Sequence, residues 1–242
     1  MGDANMISEK CFANNYPAFW KSLFPLSKIF MRGMVLESNK NIHELELQTS
    51  GRRLSFVSEM GFQLFSNAII GNQDLLDSIK MDDVFYQSIE EKCTAKFDLY
   101  EDNEDILNNP LDHEEFSDAV LIAKRLFSRF QHENMIKTTP LFYGCGMLDN
   151  CYGDILVSDT LYEVKFINRN FNNQDLRQII TYCALNYASK QYVINYVALY
   201  NPRRNCTYRC EVNSFAEAIS GTSFNDMCWN IIMFLSQEQS SK

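Results

Sequence analysis

Apolar residues recur with a helical period between residues 113 and 132. The positions that share one helical face are Phe116, Val120, Ala123, Phe127 and Phe130. Asp112 and Glu115 precede this face in a D-x-x-E pattern, which is typical of a helix N-terminus because each residue can satisfy a backbone N–H near the other. The pattern therefore predicts a helix over about residues 113–132.

The following residues alternate between strand and helix patterns. The runs TPLFYGCGML, DILV and LYEVKF predict three strands, the last two joined through Ser158-Asp159. Asn172 or Asn173 can cap a helix, NNQDLRQIITYCALNYASK, with an apolar stripe at Leu176, Ile180, Cys183 and Tyr187. QYVINYVALY and CTYRCEVN predict two paired strands, and SFAEAISG and FNDMCWNIIMFLSQ predict two closing helices. This order predicts an α/β fold with a mixed central β-sheet flanked by helices.

The first part of the chain has less regular patterns. HELELQTSGRRLSFV alternates around Ser50-Gly51, which favours a β-hairpin, whereas NQDLLDSIKMDDVFYQSIEEKC has helical spacing. The acidic, Asn-rich stretch YEDNEDILNNPLD, residues 100–112, is typical of a boundary. We therefore expect an N-terminal, mainly helical accessory region over residues 1–110, with a mixture of helix and hairpin, and a second domain over residues 111–242.

Composition narrows the class of protein. No apolar run is long enough to span a membrane, and the start MGDANMISEK has no signal-peptide pattern, so we expect a cytoplasmic protein without a membrane partner. The eight cysteines are then expected to be reduced thiols; Cys206, Cys210 and Cys228 are a weaker candidate for a metal site.

The net charge of −9 is unevenly distributed along the chain. Residues 136–242 carry as many acidic as basic residues, so the negative excess lies in residues 1–135. The acidic balance argues against non-specific nucleic-acid binding by the whole chain. The neutral second part still allows a local basic groove.

Three charges interrupt the apolar hairpin GDILVSDTLYEVKF, residues 153–166. If Ser158-Asp159 is a two-residue loop, Asp154 lies opposite Glu163, and directly opposed side chains are about 5 Å apart. Glu163 and Lys165 share one face because side chains alternate along a strand. Two opposed carboxylates favour a bound cation such as Mg²⁺. The alternative is an ordinary ion pair on the exposed face of an edge hairpin.

The next helix carries Gln178 and Tyr182 one turn apart and away from its apolar stripe. This polar face could pack over the charged patch of the hairpin. The alternative is a partly exposed helix face.

Together these motifs resemble the PD-(D/E)xK nuclease superfamily, and more narrowly its RecB and lambda-exonuclease type. The matching residues are Gly153-Asp154, then Glu163-Val164-Lys165, then Gln178 and Tyr182 in a Q-x-x-x-Y helix. The resemblance covers about residues 112–200. It implies that residues 111–242 form a nuclease-like domain.

The resemblance also implies a role for each matching residue. Asp154 and Glu163 would bind Mg²⁺ or Mn²⁺, with the Val164 carbonyl as a further ligand. Lys165 would assist the attacking water, and Gln178 and Tyr182 would support the site or touch DNA. Such proteins often take another acidic ligand from the preceding helix, for which Glu115 is the candidate, although its capping position explains it equally well.

We therefore expect a metal-dependent nuclease that hydrolyses phosphodiester bonds. The resemblance favours DNA over RNA, and a role as a subunit of a bacterial defence or DNA-processing assembly, with the acidic N-terminal region binding a protein partner. Phosphate contacts are an additional possibility for Arg169, Arg177, Arg203 and Arg204, and ordinary surface charge is the alternative. The competing hypothesis for the whole chain is a catalytically inactive nuclease-fold adaptor that acts through protein–protein interaction.

Overall fold

The computed structural model describes residues 6–51, 53–71, 74–98 and 110–240. Its helices are α1 (Glu9–Asn14), α2 (Pro17–Leu23), α3 (Ser27–Ser38), α4 (Arg53–Gly71), α5 (Leu75–Ser78), α6 (Val84–Asp98), α7 (His113–Phe130), α8 (Asn173–Ser189), α9 (Val212–Ser220) and α10 (Phe224–Ser240), with a 3₁₀ turn at Asn39–Asn41. Its strands are β1 (Ile136–Thr138), β2 (Leu141–Phe142), β3 (Cys151–Tyr152), β4 (Ile155–Val157), β5 (Thr160–Val164), β6 (Tyr196–Asn201) and β7 (Cys206–Glu211).

The chain divides into two compact units. The first comprises the described parts of residues 1–42, 134–201 and 205–242, and the second those of residues 43–133 and 202–204. The division differs from the predicted one at residue 110, because α1–α3 belong with the sheet and α7 does not. Most of the predicted boundary over residues 100–112 lies outside the described residues.

A five-stranded mixed sheet organises the first unit, in the order β1-β4-β5-β6-β7. Strands β5 and β6 are parallel, and the other neighbours are antiparallel. The crossover between β5 and β6 contains α8, as a parallel connection requires. This arrangement, with helices flanking the sheet, confirms the predicted α/β fold class. The run TPLFYGCGML contributes only the two-residue strand β2, which pairs with β3 in a separate small sheet.

The β4–β5 hairpin has the predicted register, because Val157 pairs with Thr160 across Ser158-Asp159. Ser158 has a positive φ of 52°, which a tight two-residue turn requires. The register therefore delivers the residues on either side of the turn to the positions that the sequence predicts.

Helix α8 is buried around most of its circumference, between the sheet, α1 and α10. Its predicted stripe is in the core at Leu176, Ile180 and Cys183, but Gln178 and Tyr182 on the polar face are also buried. The alternative of a partly exposed helix face is therefore wrong. These two polar side chains must find partners inside the protein, since an unpaired buried polar group is costly.

In the second unit, α4 packs against α7. Gly61 makes the close approach possible, because a Cβ at that position would lie 2.7 Å from Ile122 Cγ2. The predicted helix over residues 113–132 is confirmed as α7, two residues shorter, and its capping box between Asp112 and Glu115 is present.

The predicted hairpin around Ser50-Gly51 is wrong. Residues 42–50 form no described strand, and α4 begins at Arg53. The backbone N–H groups of Gln48 and Thr49 donate instead to the Asp118 carboxylate, at 3.0 and 2.7 Å. A side chain of α7 thus replaces the strand partner that the alternating pattern suggested.

No described helix is both long and apolar enough to cross a membrane. By sequence, the first unit contains equal numbers of acidic and basic residues, so the net charge of −9 belongs to the second unit.

Candidate active site

Asp154 lies directly beyond the end of the β4–β5 ladder. The last strand pair is Ile155–Tyr162, and the Asp154 carboxylate then accepts a hydrogen bond from the Val164 backbone N–H at 2.6 Å. Asp154 therefore reaches β5 beside Glu163, close to where the predicted register puts it. Glu163 is 3% exposed.

Gly153 allows the chain to approach the core immediately before Asp154. A Cβ at this position would lie 3.0 Å from the Phe142 ring, tighter than an ordinary contact. The Gly153 backbone N–H donates to the Pro140 carbonyl at 3.0 Å, which fixes the strand. Close packing against the Phe142 ring thus explains the glycine of the Gly-Asp motif in this fold.

Lys165 connects the hairpin to α8. Its Nζ lies 2.8 Å from Glu163 Oε1 and 2.5 Å from Gln178 Oε1. The second carboxylate oxygen, Glu163 Oε2, is buried and has no hydrogen-bond partner among the described residues. A buried carboxylate oxygen without a partner is the kind of atom that a bound cation satisfies.

Gln178 and Tyr182 extend this network along α8. The Gln178 side-chain amide donates to the Tyr182 hydroxyl at 2.9 Å, as the i, i+4 spacing allows. The Tyr182 ring stacks on Phe142, with the centroids 5.2 Å apart and the planes 18° apart. The two α8 side chains are therefore held by packing as well as by hydrogen bonds.

Glu9, on α1, is a site residue that the sequence analysis missed. Its Oε1 lies 3.4 Å from both Gln178 Nε2 and the Tyr182 hydroxyl oxygen. Ser8 begins α1 by accepting from the Cys11 N–H at 3.1 Å. The S-E-K sequence at residues 8–10 could have indicated a helix start, but no local pattern links it to a helix more than 160 residues later.

Burial raises the pKa values of both hairpin carboxylates, and a neighbouring carboxylate adds to each rise, Glu163 for Asp154 and Glu9 for Glu163. The pKa of Asp154 rises to about 8, first because of desolvation and then because of Glu163. Desolvation also raises the pKa of Glu163, although Lys165 opposes the rise. Burial alone would lower the pKa of Lys165, but the two carboxylates outweigh it and the pKa is raised, so the ammonium keeps its charge.

Tyr182 stays in its neutral form at this site. Burial raises the pKa of its hydroxyl well above the usual value, and the nearby Glu163 charge raises it further. The hydroxyl is therefore a hydrogen-bond donor, directed at Glu9, and not a base.

Glu115 has the capping role that its D-x-x-E position predicted as the alternative to a metal ligand. It lies in the second unit, where its Oε1 and Oε2 accept from Arg53 at 2.7 and 2.5 Å and Oε2 also accepts from the Asp112 N–H at 3.2 Å. The hydrogen bond from Arg53 is the main reason that the pKa of Glu115 is lowered. Both oxygens are used in this ion pair and capping box, which replace the predicted metal-ligand role.

Two of the arginines considered for phosphate binding have structural partners. Arg169 pairs with Asp175 at 2.7 Å, next to the start of α8. Arg177 donates to the Ala13 carbonyl at 3.2 Å and lies over the Trp20 ring, so it fastens α1 and α2 to α8.

The residues present fit a small divalent cation as a two-carboxylate site. Within the described ranges, no group of three or more His, Cys, Asp and Glu side chains could hold a metal ion, and no two cysteines form a disulfide. Mg²⁺ typically binds through one or two carboxylates and completes its shell with water and substrate phosphate. Asp154 and Glu163 offer such a pair, including the unsatisfied Oε2.

Val164 is compatible with the same ligand set. Its N–H points to Asp154, and the N–H and C=O of one strand residue point to the same side of the strand. The Val164 carbonyl is therefore on the side of β5 that faces Asp154. Comparisons of the chain with protein-family models, with curated proteins and with solved structures found no match.

Proposed function

We propose that this chain is a metal-dependent nuclease of the PD-(D/E)xK type that hydrolyses phosphodiester bonds of DNA. The observation that supports it best is the contact of Lys165 Nζ with both Glu163 and Gln178, at 2.8 and 2.5 Å. This contact joins the second and third motifs of the resemblance, and Asp154 from the first is bonded to the same strand. Contacts of side chains and backbone thus join residues from all three motifs.

In this proposal Asp154 and Glu163 hold Mg²⁺ or Mn²⁺, with the Val164 carbonyl as a further ligand. The bound ion would lower the pKa of a water molecule and withdraw charge from the phosphate. Lys165 then stabilises negative charge that develops on the phosphate oxygens. Gln178 keeps the Lys165 ammonium in place, and its own amide is fixed by Tyr182 and Glu9.

The net charge of the first unit is more favourable for a nucleic-acid substrate than the net charge of the whole chain. The unit that holds the candidate site is neutral, while the second unit carries the entire negative excess. An acidic surface repels a phosphate backbone, so we assign the second unit to a protein partner, within a bacterial defence or DNA-processing assembly.

The direct test is cleavage of labelled linear duplex, nicked and single-stranded DNA, and of RNA, with Mn²⁺ or Mg²⁺. We expect the native chain to cleave DNA, and the Glu163→Ala and Lys165→Ala variants to lose at least a hundredfold in rate. Lys28→Ala is the matched control, because Lys28 is an exposed lysine of the same unit. Preferential cleavage of RNA would contradict the assignment to DNA.

Equal residual cleavage by all four proteins would indicate a contaminating nuclease and would contradict the proposal. A metal-binding measurement separates this outcome from a folding defect. We expect Mn²⁺ to raise the melting temperature of the native chain but not that of Asp154→Asn, which keeps an oxygen acceptor for the Val164 N–H. No cleavage and no Mn²⁺-dependent shift would favour the inactive adaptor.

A further inference from the structure

Strand β3 leads directly into the candidate site. It ends at Tyr152, two residues before Asp154, so the two Cα atoms are at most about 7 Å apart. Hydrogen bonds continue the β2–β3 ladder as far as the site. The Gly153 N–H donates to the Pro140 carbonyl at 3.0 Å. The Thr139 N–H then donates to the Asp154 carbonyl at 2.8 Å, so the backbone fixes the position of this two-stranded ribbon relative to Asp154.

One face of the β2–β3 ribbon carries two exposed tyrosines. Leu141 and Tyr152 are directly opposed in the ladder, so their side chains lie on the same face. Tyr143 directly follows β2, two residues after Leu141, and belongs to the same face because side chains alternate along a strand. Tyr152 is 61% exposed and Tyr143 is 54% exposed. Both rings are therefore accessible to a ligand next to the candidate site.

The ribbon is held in place by its buried face and by its outer edge. On the buried face, the Phe142 ring stacks on Tyr182, a residue of the candidate site. At the edge, Gln191 Nε2 donates to the Leu141 carbonyl at 3.0 Å, and Gln191 Oε1 accepts from the Tyr143 N–H at 3.0 Å. A surface that is already ordered binds a ligand at a lower entropic cost than a mobile one.

The charges of the first unit suit a substrate that is held by its bases as well as by its phosphates. The unit is neutral overall, and both Arg169 and Arg177 already have protein partners. One exposed cation lies beside the ribbon, because Lys137 Nζ is 5.1 Å from the centre of the Tyr192 ring. The Tyr192 hydroxyl donates to the Leu141 carbonyl at 3.1 Å. Proteins that bind single strands combine such cations with aromatic rings on which bases stack.

We propose that Tyr143 and Tyr152 stack on unpaired bases next to the bond that is cleaved, so that the substrate class of this nuclease is single-stranded DNA. This inference rests on the proposed function. The bases of a duplex are stacked and paired with one another, and a protein must unpair them before it can reach their faces. Every base of a single strand offers a face to an aromatic ring, whatever the sequence.

Loss of either ring should have a characteristic effect on binding. Tyr143→Ala and Tyr152→Ala should each weaken the binding of a single strand about five- to a hundredfold. Tyr143→Phe and Tyr152→Phe keep the ring and should bind as the parent protein does. The dependence of affinity on salt should stay the same in all four variants, because no phosphate contact is lost.

The experiment measures fluorescence anisotropy of three fluorescein-labelled DNA probes of about 12 nucleotides. They are a single strand, the matching duplex, and a single strand with abasic sites in place of its central bases. The parent protein is the full chain with Asp154→Asn, so that the probes are not cleaved. Trp229→Ala is the matched control, because it removes an aromatic side chain of α10 that is 53% exposed, and it should not change binding.

The parent protein should bind the single strand more tightly than the duplex or the abasic strand, and the alanine variants should lose affinity for the normal single strand alone. Equal affinity of the parent and both alanine variants for that strand would overturn the inference, and cleavage of DNA by the native chain would then leave the proposed function intact. An equal loss for the normal and the abasic strand would also overturn the inference, since the bases would not be the ligand. No binding of any probe, together with no cleavage by the native chain, would overturn both.

Discussion

Glu9 and Tyr182 are separated by 173 positions in the chain, yet the Tyr182 hydroxyl oxygen lies 3.4 Å from Glu9 Oε1. The contact brings a residue of the first helix to the helix that follows the charged hairpin. It gives the candidate site a third carboxylate nearby, which raises the pKa of Glu163. The site is therefore not confined to the stretch that carries the nuclease-like motifs.

We expect Glu9→Gln to lower the rate of DNA cleavage about tenfold, equivalent to about 1.4 kcal/mol in the barrier. The amide keeps an oxygen that can accept from Gln178 and Tyr182, so the fold should be preserved, but the charge is lost. Single-turnover cleavage with Mn²⁺, combined with thermal melting, measures both effects. An unchanged rate would show that the Glu9 charge has no part in the reaction.

Glu115→Gln should have the opposite effects to Glu9→Gln, with lower stability of the fold and an unchanged rate of DNA cleavage. The Arg53–Glu115 pair is partly shielded, with side-chain exposures of 22% and 12%, so we expect a loss of about 1 to 2 kcal/mol in the free energy of unfolding. DNA cleavage should remain at the native rate. Urea denaturation and the same cleavage assay check the two expectations. A large loss of activity in a folded Glu115→Gln protein would restore its predicted role as a metal ligand.

The raised pKa of Asp154 predicts how stability depends on pH when no metal is added. The pKa rises from the usual 3.8 to about 8, so between these values the folded state binds a proton that the unfolded state has lost. The free energy of unfolding should therefore fall as the pH rises from about 4 to about 8. The stabilisation that proton binding by Asp154 provides is fully present only below the pKa of Asp154 in the unfolded state.

Asp154→Asn should remove this part of the pH dependence. Thermal melting from pH 4 to 9 in EDTA should show that the melting temperature of the variant increases relative to that of the native chain as the pH rises. The reason is that the asparagine carries no charge to bury. Mn²⁺ should reverse the order at high pH by stabilising the native carboxylates. Parallel pH profiles of the two proteins in EDTA would contradict the raised pKa.

Gly153→Ala tests the packing that positions Asp154. The added methyl would press on the Phe142 ring, which stacks on Tyr182, so we expect a loss of about 1 to 3 kcal/mol in stability and a slower reaction. Gly33→Ala is the control, because a Cβ there meets nothing within 4 Å. If the two variants have equal melting temperatures and rates, the close approach at Gly153 is not needed.

The sequence predicted the parts of this fold that depend on local pattern. The α7 capping box, the β4–β5 register and the N-cap of α8 at Asn172 are confirmed, because each is set by residues a few positions apart. The convergence of Lys165 and Gln178 also agrees with the expectation from spacing that α8 packs over the hairpin.

The failures concern partners that are distant in the chain. The segment before α4 has an alternating pattern, but Asp118 supplies its hydrogen bonds from α7 and no strand forms. No local sequence pattern identifies Glu9 as a site residue, since its partners are on a helix that only tertiary packing brings near. Glu115 was a candidate because the nuclease resemblance implies an acidic ligand from the helix that precedes the sheet, yet Arg53 occupies both of its oxygens.

The parallel pairing of β5 with β6 has a consequence for synthesis on the ribosome. Glu163 and Val164 pair with Leu199 and Tyr200, which are translated some time after the hairpin that carries the carboxylates. A nascent chain that ends before β6 has Glu9, Asp154 and Glu163 but lacks the strand that supports one edge of β5. The proposed nuclease activity should therefore arise late in translation, when the emerging β6 completes that side of the sheet.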